Sequence, residues 1–128
     1  MKGHGVEYLL VGLGGFLGAN ARYLMANWIG GRYGTSFPYG TLVINVSGSF
    51  LIGLFLVLVT ERYVVHNHWR LWFSVGFLGA YTTFSTWSFE SLTLILHGGW
   101  FLGCVNLFGS MALGLTATLG GMALARLF

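Results

Sequence analysis

Long apolar runs alternate along the chain with short polar or glycine-rich breaks, and the spacing of the breaks predicts four helices of membrane-crossing length. About 20 apolar residues match the hydrocarbon thickness at a rise of 1.5 Å per residue. The first run covers residues 6–29, after a short lysine-bearing start, and ends with Trp28 at the level where aromatic side chains meet the interface. Ala19-Asn20-Ala21 imitates a signal-peptidase site, but three further spans favour keeping the segment as a helix. The stretch Gly30-Gly31-Arg32-Tyr33-Gly34-Thr35-Ser36-Phe37-Pro38 predicts a loop by its glycines and proline. An uncharged run over 39–59 is the second span and the plainest helix of the four. Glu61, Arg62, His66, Asn67, His68 and Arg70 make the one strongly polar connection, after which 71–96 and 100–124 are spans three and four, joined by a tight turn at His97-Gly98-Gly99.

Composition agrees with this pattern. Hydrophobic residues make up 55% of the 128 and charged residues 7%, too few charges to cover the surface of a water-soluble domain. The expected class is therefore an all-α integral membrane protein, one domain over residues 1–128, with no length left for an extramembrane enzyme. The +3 balance does not suggest a nucleic-acid partner; such residues sit at the phosphate level and set orientation. Lys2, Arg62, Arg70 and Arg126 fall on one side of an even-numbered bundle, Arg32 and Arg22 on the other, a bias weak enough to admit insertion both ways. The single Cys104 excludes an intrachain disulfide and a cysteine metal cluster, and reads as a small apolar filler. His66 and His68 have no cysteine or carboxylate partners that would make a metal site of their connection. Gly12 to Gly18 follows neither the P-loop nor the dinucleotide spacing.

Two patterns bear on how the helices assemble. Gly14 and Gly18, Ser49 and Gly53, Gly99 and Gly103, and Ser110 and Gly114 are each four apart, a spacing that lets helix backbones approach where lipid supplies no hydrophobic drive. At an offset of 61 residues, Gly15-Phe16-Leu17-Gly18-Ala19 recurs as Gly76-Phe77-Leu78-Gly79-Ala80. At that same offset Asn45, Gly48, Ser49, Gly53 and Leu54 align with Asn106, Gly109, Ser110, Gly114 and Leu115. A duplication of two spans would give both halves one orientation, related by an axis along the membrane normal; chance recurrence of Gly and Leu is the alternative. Four short helices make a thin wall for an aqueous pathway, which favours at least a homodimer.

Chemistry is expected where polarity enters a span, because a charge at the bilayer centre costs roughly 2.5 to 3.5 kcal/mol. The third span stands out: its midpoint falls near Thr83, inside Gly79-Ala80-Tyr81-Thr82-Thr83-Phe84-Ser85-Thr86-Trp87-Ser88-Phe89-Glu90. Glycine followed by adjacent threonines weakens a helix, and irregular backbone at that depth survives only where it is buried in protein or lines a cavity. Either the helix breaks there, freeing carbonyls that hold a small cation, or it continues with hydroxyls bonded back to the preceding turn. Phe84 and Trp87 share one helix face, and Ser85 and Ser88 repeat the spacing on an adjacent one. Aromatic edges and hydroxyl donors suit a small anion without a fixed cation to trap it; packing is the other reading of the aromatics. Glu90 toward the end of the span is a solvated carboxylate in its plainest reading, Arg22 an interfacial anchor and Asn45 an interhelical hydrogen-bond partner.

These residues carry a resemblance. Gly15-Phe16-Leu17-Gly18-Ala19-Asn20-Ala21-Arg22, Asn45-Val46-Ser47-Gly48-Ser49, and Gly76-Phe77-Leu78-Gly79 followed by Thr82-Thr83-Phe84-Ser85-Thr86, together with length and span count, resemble the Fluc (CrcB) family of bacterial fluoride channels over nearly the whole chain. The resemblance implies a multi-pass protein of the bacterial inner membrane, not an enzyme. It also implies an antiparallel, dual-topology homodimer of four-helix subunits with the third helix broken near its midpoint. Two pores would export fluoride passively, lowering its cytoplasmic level. A structural sodium ion on the dimer axis would be held by backbone carbonyls of Gly79 and Thr82. The implied fluoride pathway comprises Asn45, Thr83, Phe84, Ser85, Trp87, Ser88 and Glu90, with Arg22 in the vestibule. One departure stands in this pathway, because the second aromatic position usually carries Phe and here is Trp87. An indole can narrow the pore, rotate away, or offer the anion a stronger donor.

Two other function classes are weighed against the channel. A small proton-coupled multidrug exporter would need Glu90 as its membrane carboxylate and would recognise hydrophobic cations. A non-transporting assembly subunit fits the glycine-rich packing but gives the Thr-Thr-Phe-Ser run no role.

Overall fold

Backbone amides cannot be left unpaired in hydrocarbon, and this chain satisfies them by winding nearly all of its apolar length into helix. The computed structural model describes residues 4–128, so Lys2, counted above among the cations, lies outside the described residues. Helix α1 runs over His4–Tyr33. Helix α2, Tyr39–Val57, continues without a break into the π-helical turn π1, Leu58–Arg62. Three segments, α3 (Asn67–Trp69), π2 (Arg70–Leu78) and α4 (Gly79–Tyr81), then follow one another as continuous right-handed helix. After two extended residues comes α5, Phe84–Leu96, and after a glycine turn α6 (Trp100–Cys104), π3 (Val105–Gly109) and α7 (Ser110–Ala125). Among the described residues, three stretches are long and apolar enough to cross a membrane: His4–Tyr33, Tyr39–Arg62 and Trp100–Ala125. The third apolar run is divided between two shorter helical pieces at Thr82 and Thr83.

Helix ends differ from the expected ones in two places. α1 passes through Gly30, Gly31, Arg32 and Tyr33, assigned above to a loop, because a glycine costs a helix only about 1 kcal/mol, less than leaving backbone groups without helical partners near hydrocarbon. It stops at Gly34, whose φ of 77° only glycine adopts without strain and whose N–H closes on the Gly30 carbonyl at 3.0 Å. The polar connection is also shorter than its charges suggest. π1 carries helix through Arg62, and the His66 ring nitrogen caps the next helix by accepting from the His68 N–H at 3.3 Å. Arg126 donates to both carboxylate oxygens of Glu61 at 3.2 Å, and Arg62 donates to the Arg126 carbonyl, so the ends of π1 and α7 are tied together.

Small residues decide which helices meet. α1 lies against π2 and α4, and α2 lies against α7. A Cβ on Gly14 or Gly18 would run into the backbone of Trp72 or Phe77, and one on Gly76 would stand 2.7 Å from the Val11 carbonyl. In the other pair, a Cβ on Gly53 would strike the Thr118 carbonyl and one on Gly121 the Phe50 carbonyl. First run thus pairs with third and second with fourth, the like members of the two halves related by the 61-residue offset. Gly15 and Gly76, equivalent at that offset, face each other, with an added Cβ on Gly15 only 3.9 Å from the Gly76 carbonyl. Ile44, Leu78 and Tyr81 form the buried core, and Phe73, Phe77 and Tyr81 stack up to the break with ring centroids 5.5 and 5.9 Å apart. The Tyr81 hydroxyl meets Ser47 Oγ at 3.0 Å, which fixes the last turn before the backbone opens.

Candidate functional site

The break begins where the Thr82 backbone turns extended (φ −80°, ψ 156°), and Thr83 follows in the same region (φ −146°, ψ 116°). Thr82 still bonds its hydroxyl back to the Leu78 carbonyl at 3.0 Å, so back-bonding and breaking occur together at this residue. The two backbone groups of Thr83 that leave the helix are taken up by one side chain. The Thr83 N–H donates to Asn45 Oδ1 at 2.8 Å, and Asn45 Nδ2 donates to the Thr83 carbonyl at 2.9 Å. An asparagine amide is a copy of the peptide group, which is why it can close this two-way bond. Thr83 also starts the next helix, its Oγ1 accepting from the Thr86 N–H at 3.2 Å as an N-cap. A further contact comes from α2: a Cβ on Gly48 would collide with the Thr82 methyl, so glycine lets the Thr82 side chain keep its place beside α2.

Beyond the break, Phe84 and Trp87 form the expected aromatic pair, with ring centroids 5.1 Å apart. The indole Nε1–H of Trp87 donates to the Asn106 carbonyl at 3.1 Å, so this donor is turned to the fourth run and not to an ion. Asn45, Thr82, Thr83, Phe84 and Trp87 line one cleft of about 340 Å³, joined by Ser49, Ile52, Ser110 and Met111. Ser85 and Ser88 lie outside it. Ser85 is exposed and approaches Thr83 Oγ1 at 3.5 Å, while the Ser88 hydroxyl donates to the Phe84 carbonyl at 2.9 Å.

Glu90 belongs to a second depression of about 260 Å³ walled by the 34–40 connection. It is not the freely solvated carboxylate of the plainest reading: Oε1 accepts from the Thr41 hydroxyl at 3.0 Å, and Oε2 is enclosed with no partner among the described residues. Arg22 is half-buried on α1 and lines neither depression. Thr41, Ser49, Ser91, Asn106 and Ser110 were not singled out as site residues by sequence. Asn106 and Ser110 did carry a signal, since the 61-residue offset matches them to Asn45 and Ser49.

The implied sodium ligands can be tested against the backbone. In an unbroken helix the Thr83 N–H would bond the Gly79 carbonyl and the Thr86 N–H the Thr82 carbonyl. Those donors are instead turned to Asn45 Oδ1 and Thr83 Oγ1, so both carbonyls are released from the helical ladder. Neutral carbonyl oxygens suit a hard cation, and Gly79 is exposed at the subunit surface. No cluster of three or more His, Cys, Asp or Glu side chains offers a competing metal site among the described residues.

Comparison with known proteins places the chain. The family model described as CrcB-like protein, Camphor Resistance (CrcB), matches residues 9–122. The fluoride-specific ion channel FluC of Koribacter versatilis (strain Ellin345) is 50% identical over 120 residues, covering 94% of this chain and 95% of its own. The protein of that name from Solibacter usitatus (strain Ellin6076) is 49% identical over 121 residues, 94% of this chain and 99% of its own. A more distant relative of the same name, from Sulfurihydrogenibium sp. (strain YO3AOP1), keeps 36% identity over 94% of this chain and 98% of its own. With the model matched along most of its length, the chain belongs to the CrcB-like family.

Proposed function

We propose that this chain is a fluoride-selective channel that lets the ion leave a bacterial cell passively, down its electrochemical gradient, and so lowers cytoplasmic fluoride. The observation that carries the reading is the cleft at the break, where Asn45, Thr83, Phe84 and Trp87 meet with no lysine or arginine among them. Relatives matched over more than nine-tenths of the chain, named as fluoride-specific ion channels, supply the ion.

A small anion gives up hydration only to donors that replace it, and passes on only if none holds it tightly. Asn45 spends one amide hydrogen on Thr83 and keeps the second for an ion in the cleft. The Phe84 ring offers its positive edge, and Ser85 an exposed hydroxyl. Arg22, outside the cleft, raises the local anion concentration without trapping the ion. Ser88 and Glu90 extend the polar line along α5 toward the 34–40 connection, Glu90 with Thr41 as its hydroxyl partner.

The proposed assembly is an antiparallel, dual-topology homodimer in the bacterial inner membrane, each subunit crossing four times and the pair holding two pores. The cleft is open on one side and its Phe84 ring is 76% exposed, as expected of a wall that a second copy completes. The weak bias of Lys2, Arg62, Arg70 and Arg126 against Arg32 and Arg22 admits insertion both ways. At the dimer axis the released carbonyls of Gly79 and Thr82 from both subunits would hold sodium, which supplies the positive charge those dipoles lack.

Purified protein in liposomes tests the reading, with fluoride efflux followed by electrode after addition of a potassium ionophore. Fast, ionophore-dependent fluoride efflux with no chloride efflux is expected. Silence from both this protein and Trp87→Phe would overturn the channel. Uptake of hydrophobic cations that is lost in Glu90→Gln would assign the proton-coupled exporter instead.

A further inference from the structure

A buried polar group that the pathway above does not use is Asn106, 1% exposed, the second residue of π3. All of its polar parts are engaged with α5 or with its own helix. Nδ2 donates to Ser91 Oγ at 2.7 Å, Oδ1 accepts from the Ser110 hydroxyl at 3.2 Å, and the main-chain carbonyl accepts the Trp87 indole N–H at 3.1 Å. Ser91, fully buried, hands the chain on by donating to the Trp87 carbonyl at 2.7 Å. Trp87 is therefore held twice, at its ring and at its backbone, by groups that converge on one asparagine.

A carbonyl oxygen has two lone pairs and can accept twice. The Asn106 carbonyl, in π3, accepts the Ser110 N–H along its own helix and the Trp87 indole N–H from α5. Asn45 and Asn106, equivalent across the 61-residue offset, thus grip the same half-helix, one at its first residue and the other two turns along.

We propose that Asn106 is a positioning residue for conduction: with Ser91 it fixes Trp87 against the fourth run, so that the ring walls the cleft while its N–H is withheld from the anion. A passing fluoride then meets no indole donor, which would otherwise bind it as a strong neutral hydrogen bond and slow its release. The proposal rests on the fluoride-channel reading for its consequence, but the geometry it asserts has a readout that needs no transport.

That readout is hydrogen exchange at the Trp87 indole N–H, followed by NMR on 15N-tryptophan protein in detergent, the resonance being assigned by its loss in Trp87→Phe. Asn106→Ala keeps the main-chain carbonyl that accepts the indole but removes the side-chain bonds to Ser91 and Ser110 that hold that carbonyl against α5, and is expected to speed exchange at Trp87 about three- to tenfold, with the indoles of Trp28, Trp69, Trp72 and Trp100 unchanged. Ser91→Ala, a smaller change, is expected to give the same direction should Asn106→Ala fold poorly. Unaltered exchange at Trp87 in a folded Ser91→Ala or Asn106→Ala protein overturns the proposal. Fluoride efflux gives the second arm: Asn106→Ala is expected to slow it in the native background and to change nothing further in Trp87→Phe. Equal slowing in both backgrounds would make Asn106 a packing residue only. If no variant and no native protein moves fluoride, the channel reading fails while the exchange result still decides where Trp87 is held.

Discussion

At the residue scale, the irregular backbone at the centre of this molecule depends on very few side chains. Asn45 closes both open groups of Thr83, and no other side chain bonds that residue's backbone among the described residues. In Asn45→Leu a part-buried N–H and a carbonyl lose their partners, at about 1–3 kcal/mol for each orphaned group. Thermal unfolding in detergent should therefore move clearly downward and fluoride efflux should fall. Asn45→Asp, which keeps the acceptor but not the donor, should lie between the two. An Asn45→Leu protein as stable as the native one would remove the asparagine from this role. That Asn45 is polar inside an apolar run was plain from sequence, but its partner was not. An interhelical bond was expected; that it goes to the backbone of Thr83, 38 positions away, depends on how α2 and the third run pack.

At the element scale, glycine positions separate into those that touch another backbone and those that do not. Gly18 lies against the Phe77 carbonyl, which cannot rotate aside, whereas Gly12 has open space around it. Overpacking of this kind costs about 1–3 kcal/mol, so Gly18→Ala should lower thermal stability measurably and Gly12→Ala should not. Comparable loss in both would show that α1 and π2 do not meet closely. The fourfold spacing of small residues signalled close contact, but it pointed to no partner helix. Nor did it announce the three π-helical segments, because a widened turn is a response to neighbours on several sides and not a property of local composition.

At the scale of the whole molecule, the balance of charges between the two ends governs insertion. The Val64 site, in the connection after π1, and Thr35, in the connection after α1, stand at opposite ends of a multi-span bundle. With Cys104→Ala as background, Val64→Cys and Thr35→Cys should each be labelled about half from outside by a membrane-impermeant thiol reagent, as dual topology requires. Labelling of one site entirely from one side would overturn the antiparallel dimer while leaving the subunit fold untouched.

The apolar runs by themselves determined the class of this protein, the approximate limits of its apolar helical stretches, and the segment where a helix is weakest. The reason is that hydrocarbon leaves the backbone no partner but itself, so length and hydrophobicity alone constrain the answer. Resemblance to family motifs named candidate pathway residues position by position, of which the cleft brings together Asn45, Thr83, Phe84 and Trp87. Only the tertiary structure decided that Thr82 and Thr83 are extended and not helical, that the Trp87 indole is spent on Asn106, and that Glu90 is paired with Thr41. Each of those outcomes is a choice between partners of nearly equal local merit, settled by which helix arrives beside it.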